Sequence, residues 1–264
     1  MSFVRAKKHL GQHFLKDGDA ALRITEGLTG HGGYKDVLEV GPGTGALTTH
    51  LLQRKDINLA CIELDGESVA HLHAKWPQLR VVQGDLLRMD LGGIAAGPMG
   101  MIGNFPYNIS TQIIFKVLEN RDRVPEVVGM FQKEVADRLC AGPGNRTYGI
   151  TSVLAQLWYS VELLFLVEPE AFIPPPKVRS AVIRMQRNAR TSLPVEEKLL
   201  TSLVKAAFGQ RRKTLHNALK GFAPLAAGVP EAFARKRAEE LSGEDFIRLA
   251  QACAIPGAAA FPVA

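Results

Sequence analysis

The sequence has few cysteines and shows no spacing typical of a metal site. Its 264 residues include three cysteines, Cys61, Cys140 and Cys253, which lie far apart. An odd number without a Cys-x-x-Cys pair argues against a disulfide framework and against a structural zinc. We therefore expect a protein of the reducing cytoplasm that uses no metal.

Long hydrophobic runs are also missing. The first ten residues, MSFVRAKKHL, are charged and lack the apolar stretch of a secretory signal. The most apolar segment, residues 150–167, is interrupted by polar side chains such as Gln156 and Glu162, so a membrane span is not expected. With 46% hydrophobic residues, the chain can bury the core of one or two globular domains.

The charge balance is basic but not extreme. There are 32 Lys and Arg against 26 Asp and Glu, a formal net charge of +6. This excess is a weak indication of a polyanionic partner, since many basic proteins bind none.

The first 188 residues alternate between strand-like and helix-like segments. Short apolar runs occur at residues 36–40, 57–64, 79–84, 99–104 and 126–131, with segments of helical spacing between them. This alternation predicts an α/β fold with a parallel sheet and helices on both faces. Two further runs, 161–169 and 180–188, could add an antiparallel edge.

After residue 188 the pattern changes to helical spacing alone. Segments 196–222 and 233–253 both place apolar residues on one helical face, and Ser242 is a candidate cap. The sequence therefore predicts a catalytic domain with an N-terminal arm over residues 1–188 and a small all-helical C-terminal domain over 189–264.

Three strand ends carry residues suited to binding a nucleoside. Gly41, Gly43 and Gly45 follow the first strand, and glycines let the backbone turn and approach a ligand closely. Glu63, at the end of the second strand, can accept hydrogen bonds from ribose hydroxyls, and Asp85, after the third, can meet an adenine amine. A glycine turn or a strand-end acid alone is more often structural. Together they resemble the S-adenosylmethionine site of the Rossmann-like class I methyltransferases.

The stretch NFPYNIS, residues 104–110, ends the fourth strand. An adenine amine is a poor nucleophile, and acceptors for both N–H groups would favour a pyramidal nitrogen. Asn104 offers a side-chain carbonyl, Pro106 a backbone carbonyl, and Tyr107 a ring that can stack on the base. Asn-x-Pro-Tyr is similar to the motif of amino-group methyltransferases acting on nucleic acid. The alternative is a turn with a buried tyrosine. Ser110 is expected to cap the next helix.

Five stretches spread over most of the chain narrow the family: HLGQHFL, NFPYNISTQIIF, FQKEVADRL, AFIPPPKVRSAV and AFGQRRKTLHNAL. They resemble the KsgA-type ribosomal RNA adenine dimethyltransferases. The resemblance implies a monomeric enzyme using S-adenosylmethionine during small-subunit biogenesis. Its expected substrate is a pre-30S particle, in which it dimethylates N6 of two adjacent adenines in a hairpin loop near the 3′ end of 16S rRNA.

The resemblance also implies roles for individual residues. The cofactor contacts fall on His13, Leu15, Gly41, Gly43, Glu63, Leu64, Asp85, Leu86 and Asn104. Related enzymes usually carry Asn where this chain has His13. Phe131 and Phe172 are expected to stack on the target base with Tyr107, although each could equally be a core residue.

A basic segment in the C-terminal domain is the candidate RNA contact. Arg211, Arg212, Lys213 and Lys220 have no acid among them and are expected on a helix, where they could bind phosphates or form a solvated face. The target adenine must be unpaired or flipped out of a helix.

Three alternatives remain open. A large-subunit rRNA methyltransferase of the antibiotic-resistance type shares the fold and the Asn-x-Pro-Tyr motif, but PPPKV and GQRRKT favour the small-subunit enzyme. A DNA adenine methyltransferase would need a larger recognition domain. A binding-only assembly or transcription factor of this fold is disfavoured by the intact acids and NFPY.

Overall fold

The structure of the protein is a computed structural model that describes residues 4–7, 10–225 and 228–253. It divides into two compact units. The first unit runs up to residue 140 and resumes over 158–188, and the second comprises 141–157 and the chain from 189 onward. The segment 141–157, which the sequence analysis placed in the first domain, thus groups with the helical unit.

The first unit is built on a seven-stranded sheet. The strands of the described residues are β1 (Phe14–Leu15), β2 (Asp36–Val40), β3 (Asn58–Glu63), β4 (Arg80–Gln83), β5 (Met99–Asn104), β6 (Glu126–Gln132), β7 (Tyr159–Val167), β8 (Phe172–Ile173) and β9 (Ser180–Arg187). The main sheet has the order β4-β3-β2-β5-β6-β9-β7, and β1 pairs with β8 separately.

Strand directions follow the predicted pattern. The strands β4, β3, β2, β5 and β6 are mutually parallel, whereas β9 runs antiparallel to both β6 and β7. The predicted α/β sheet, parallel over five strands and closed by an antiparallel edge, is confirmed. Because the parallel strands share one carboxyl edge, the residues that follow β2, β3, β4 and β5 meet there.

Among the described residues, the α-helices that accompany this sheet are α1 (Gly18–Glu26), α2 (Ala46–Leu51), α3 (Gly66–Lys75), α4 (Ser110–Glu119) and α5 (Lys133–Cys140). The start of α4 corrects one expectation. Ile109 occupies the N-cap position and Ser110 is the first helical residue. The Ser110 hydroxyl instead donates a hydrogen bond to the Pro106 carbonyl at 3.1 Å. It therefore braces the preceding turn rather than capping the helix.

Two glycines make room for Phe105 beneath the carboxyl edge. A Cβ at Gly103 would lie 2.9 Å from the Phe105 ring, and one at Gly129 would lie 2.2 Å from it. The ring is consequently buried, and its centroid lies 5.0 Å from that of Phe131. This packing fixes the start of the NFPY loop on the sheet.

The second unit is helical. In the part of this unit that the structure describes, the α-helices are α6 (Ile150–Gln156), α7 (Glu197–Gly209), α8 (Leu215–Ala218), α9 (Glu231–Ala234) and α10 (Gly243–Gln251). Leu203 and Val204 of α7 and Phe246 and Leu249 of α10 are buried in it. As predicted, Ser242 caps α10, and its hydroxyl accepts a hydrogen bond from the Asp245 N–H at 3.1 Å.

The basic segment of this unit is not helical. Helix α7 ends at Gly209, and residues 210–214 form a turn before α8. Arg211, Arg212 and Lys213 therefore lie in a turn, which corrects the expectation that they share a helix. Lys220 lies just after α8. Throughout the described ranges, no helix combines the length and the apolar character needed to cross a membrane.

Candidate active site

A cavity opens at the carboxyl edge of the main sheet. The segments that follow β2, β3, β4 and β5 line it together with residues 10–14, which precede and begin β1. It brings together most of the residues predicted from the sequence: His13, Gly41, Gly43, Glu63, Leu64, Asp85, Leu86, Asn104, Pro106 and Tyr107. Strand-end placement in a parallel sheet accounts for this convergence.

The glycine turn after β2 leaves space for a ligand. Gly41 has φ +64°, and a Cβ built on it would meet no protein atom within 4 Å. Gly43 has φ +55°, and a Cβ there would lie 2.9 Å from the ring of Phe14. Side chains are thus excluded at Gly43 by packing, while at Gly41 a side chain would project into the cavity.

Glu63 presents a buried carboxylate to the cavity. One oxygen accepts a hydrogen bond from the Gly43 N–H at 3.0 Å, and the other accepts one from the Asp65 N–H at 2.9 Å. Burial raises the pKa of Glu63, and these backbone hydrogen bonds partly oppose the rise. Each oxygen keeps a further lone pair, so the carboxylate can accept two hydroxyl hydrogens from a ligand.

Asp85 supplies a second acid along the same edge. Its Oδ1 accepts a hydrogen bond from the Leu87 N–H at 2.9 Å, and its Oδ2 lies 3.6 Å from the guanidinium of the exposed Arg88. Leu86 is buried, whereas Leu64 is 52% exposed although it is apolar. An exposed leucine on a cavity wall is suited to contact with a planar, apolar ligand face.

The Asn104 amide has a defined orientation. Its Nδ2 donates a hydrogen bond to the His13 carbonyl at 2.9 Å. Because that bond uses the nitrogen, Oδ1 is the atom left to accept a hydrogen bond from a ligand amine.

Tyr107 is held from two sides. Its hydroxyl lies 2.5 Å from the Ser180 hydroxyl, and its ring stacks on the imidazole of His13 with centroids 5.5 Å apart and planes 26° apart. Burial raises the pKa of Tyr107, and the hydrogen bond with Ser180 opposes that rise. The tyrosine therefore stays neutral at physiological pH, with its ring fixed at the cavity wall.

The backbone acceptor predicted at Pro106 is already engaged. Its carbonyl accepts hydrogen bonds from the Ile109 N–H at 3.2 Å and from the Ser110 hydroxyl at 3.1 Å, which fills both lone pairs of the oxygen. Among the described residues, no hydrogen bond ends on the neighbouring Phe105 carbonyl. Phe105 also borders the cavity, which makes its carbonyl the candidate backbone acceptor.

Three predicted contacts are not brought to the cavity. Leu15 and Phe172 are paired across β1 and β8 and belong to the hydrophobic core, with 5% and 1% of their surfaces exposed. Phe131 is fully buried against Phe105. Leu15 and Phe172 face the core from the β1–β8 pair, and β6, which carries Phe131, is buried along both of its faces.

The predicted RNA contacts divide into two kinds. Arg211 binds within its own unit, with Nε 2.7 Å from a Glu239 oxygen and a terminal nitrogen 2.5 Å from the Arg146 carbonyl. The side chains of Arg212, Lys213 and Lys220 are exposed, and none forms a hydrogen bond or ion pair with a described residue. The structure therefore gives Arg211 an internal partner and leaves the other three cations accessible.

Some cavity residues were not predicted. Phe14 lies over Gly43, and a Cβ at Gly11, where φ is +64°, would lie 2.6 Å from the Asn108 side chain. The motif stretches HLGQHFL and NFPYNIS contain these residues, but nothing in the sequence shows that the two stretches touch. Across residues 4–7, 10–225 and 228–253, no cluster of His, Cys, Asp and Glu suited to a metal ion occurs.

Comparisons with known proteins show which family the chain belongs to. The family model of ribosomal RNA adenine dimethylases matches residues 3–252. Relatives named "Ribosomal RNA small subunit methyltransferase A" include one from Cytophaga hutchinsonii, 53% identical over 94% of this chain and 97% of its own length. Another, from Porphyromonas gingivalis, is 50% identical over 94% of this chain and 98% of its own.

Solved structures share the architecture. A dimethyladenosine transferase from Plasmodium falciparum has a TM-score of 0.74 and 26% identity, covering 90% of this chain and 96% of its own. The 23S rRNA methyltransferase ErmE has a TM-score of 0.68 and 25% identity, covering 91% of this chain and 99% of its own. The expectation of an S-adenosylmethionine-dependent methyltransferase is confirmed by this family and these neighbours. The chain belongs to the ribosomal RNA adenine dimethylase family.

Proposed function

We propose that the protein dimethylates N6 of two adjacent adenines in small-subunit rRNA, with S-adenosylmethionine as methyl donor. The observation that carries the proposal is Asn104, whose amide nitrogen is held by the His13 carbonyl so that Oδ1 remains for the substrate. The 50–53% identity to small-subunit methyltransferases supports the choice of substrate.

The cavity fits the cofactor by its open space and its donor set. Gly41 leaves room where a Cβ would project. Glu63 would accept hydrogen bonds from the ribose hydroxyls and Asp85 one from the adenine amine, and Leu64 and Leu86 would lie against the adenine ring. When bound, S-adenosylmethionine supplies a methyl group whose C–S bond breaks as the N–C bond forms, with the electron pair returning to sulfur.

The chain's contribution to catalysis is to orient the substrate amine. Asn104 Oδ1 and the Phe105 carbonyl each accept one N–H of the adenine amine, which favours a pyramidal nitrogen with its lone pair directed outward. This assigns to Phe105 the role that the sequence analysis gave to the Pro106 carbonyl, because the latter already accepts two hydrogen bonds. One proton leaves the nitrogen for water in each transfer. Positioning and electrostatics supply the rate.

Tyr107 holds the base itself. Its ring is fixed by Ser180 and His13 and offers a face on which the target adenine can stack. An adenine paired in a helix cannot reach this face, so the target is an unpaired or flipped base.

The finer assignment follows the family resemblance. The substrate is a hairpin loop near the 3′ end of 16S rRNA in a pre-30S particle, and the protein acts as a monomer in the cytoplasm. Phosphates of the RNA contact Arg212, Lys213 and Lys220, which are exposed. Arg211 supports the turn that carries two of them.

A second candidate substrate is large-subunit RNA. The TM-score of 0.68 to ErmE, named as a 23S rRNA methyltransferase, favours this candidate. ErmE is 25% identical to this chain, however, whereas the relatives at 50–53% identity carry the small-subunit name.

A substrate comparison separates the two candidates. The protein and S-adenosylmethionine would be incubated with unmethylated small subunits, large subunits or deproteinised 16S RNA, and the RNA analysed by mass spectrometry. We expect dimethyladenosine in small-subunit RNA. Methylation confined to large subunits would support the second candidate, and no methylated adenine in any sample would refute the proposed activity.

A further inference from the structure

His13 joins three chain segments at the cavity. Its carbonyl accepts the hydrogen bond from Asn104 Nδ2 at 2.9 Å, and its ring stacks on Tyr107. Its Nδ1 lies 2.8 Å from the Pro174 carbonyl. Since a carbonyl can only accept, Nδ1 carries the hydrogen of that bond. One residue therefore contacts both side chains that receive the target adenine and also the loop before β9.

The side chain of His13 determines where its carbonyl lies. The ring is held by Tyr107 on one side and by the Pro174 carbonyl at Nδ1, so the backbone at residue 13 cannot shift without losing a contact. The carbonyl in turn fixes the Asn104 amide. Nearby, Gly11 and the Asn108 side chain are in close approach, which attaches the same segment to the NFPY loop at a second point.

The two methyl transfers place different demands on this arrangement. The adenine amine has two N–H groups, one each for Asn104 Oδ1 and the Phe105 carbonyl. After the first transfer the nitrogen has one N–H left, so one of the two hydrogen bonds is lost. The second transfer then depends more strongly on the remaining hydrogen bond and on stacking against Tyr107.

We infer that His13 is a positioning residue that holds Asn104 and Tyr107 for the second methyl transfer. The inference rests on the proposed function and adds to it a determinant of product identity, N6-methyl or N6,N6-dimethyl adenosine. An asparagine at this position can replace the Nδ1 donor toward Pro174 but not the ring that stacks on Tyr107.

The test is a single-turnover measurement of both transfers on unmethylated small subunits. His13→Ala, His13→Asn and His13→Phe would be compared with the wild type, with monomethyl and dimethyl adenosine quantified over time. His13→Ala removes a hydrogen bond and a ring contact, so this variant should slow the second transfer about tenfold more than the first. Monomethyl adenosine should accumulate. His13→Asn keeps a donor and His13→Phe keeps a ring, so each should restore part of the second-transfer rate.

His31 supplies a matched control. Its Nε2 also lies 2.8 Å from a backbone carbonyl, that of Arg187, but it does not border the cavity. His31→Ala should leave the ratio of the two rate constants at the wild-type value. Thermal melting of each variant would separate lost stability from the change in ratio.

Several results would overturn the inference. A wild-type ratio in His13→Ala would do so while the proposed function stands. Equal slowing of both transfers, or the same change of ratio in His31→Ala, would reduce His13 to a general structural role. If the wild type forms neither product on any ribosomal substrate, the proposed function fails and the inference with it.

Discussion

The carboxyl edge of the sheet and the turn at residues 210–214 both carry polar residues that the sequence marks for ligand binding, but they are built differently. At the sheet edge, backbone groups hold Glu63 and Asn104 and leave specified oxygen atoms for a ligand. In the turn, Arg211 uses its donors on Glu239 and Arg146, while Arg212 and Lys213 are exposed. Strand ends define a site atom by atom, whereas a run of charge does not separate structural cations from binding ones.

The largest expected effect is at Asn104. Asn104→Ala removes the acceptor aimed at the amine and should lower kcat by about 100- to 1000-fold, as for loss of one transition-state hydrogen bond. RNA binding, measured by filter retention, should persist. Residual activity within a few-fold of the wild type would contradict the role of the amide.

Two substitutions of Tyr107 should distinguish the contribution of its ring to activity from that of its hydroxyl. Tyr107→Ala removes the stacking face and should cost about tenfold or more in kcat/KM, since base stacking contributes about 1–3 kcal/mol. Tyr107→Phe keeps the face and loses only the hydrogen bond to Ser180, so a few-fold loss is expected. Equal losses in the two variants would show that the hydroxyl, not the ring, matters.

Two sets of substitutions distinguish the RNA-binding cations of the turn from the structural one. Arg212→Ala with Lys213→Ala should weaken RNA binding and reduce the slope of log K against log salt by about one per cation, with stability unchanged. Arg211→Ala should instead lower the free energy of unfolding by about 1 kcal/mol, because its ion pair is partly exposed.

Chemical denaturation and salt titration of binding distinguish these outcomes. A larger change of slope in Arg211→Ala than in the double variant would reverse the assignment. It would also remove the contrast between the turn and the sheet edge.

The smallest effect is the pH dependence of cofactor binding. Burial raises the pKa of Glu63, and only the ionised carboxylate accepts hydrogen bonds at both oxygens from backbone and ribose. The affinity for S-adenosylmethionine, measured by calorimetry, should therefore fall on acidification. The fall should begin at a pH above the usual pKa of a glutamate side chain. Glu63→Gln should bind more weakly and lack this acid limb. An identical acid limb in the variant would assign it to another group.

Much of the first unit could be predicted because the signals are local. Gly41, Glu63, Asp85 and Asn104 lie at the ends of short apolar runs or directly after them, which places these residues on one edge once the strands are parallel. The predicted break at residue 188 also marks one boundary of the helical unit.

The remaining features depend on contacts distant in sequence. Nothing in the sequence of β6 shows that Phe131 packs against Phe105 rather than at the cavity. Nor does the sequence show that residues 141–157 belong to the helical unit while residues 158–188 return to the first unit. The contact between His13 and Pro174 spans 161 positions. The turn after Gly209 interrupts a helical pattern whose apolar spacing continues through Leu215.

We propose that the cavity bordered by Asn104 is where adenines of small-subunit rRNA are methylated. The most direct measurement is mass spectrometry of RNA from unmethylated small subunits after incubation with S-adenosylmethionine and either the wild type or Asn104→Ala. We expect two adjacent N6,N6-dimethyladenosines with the wild type and almost none with the variant in the same time. Unmodified adenines with the wild type, or equal dimethylation by both proteins, would contradict the account.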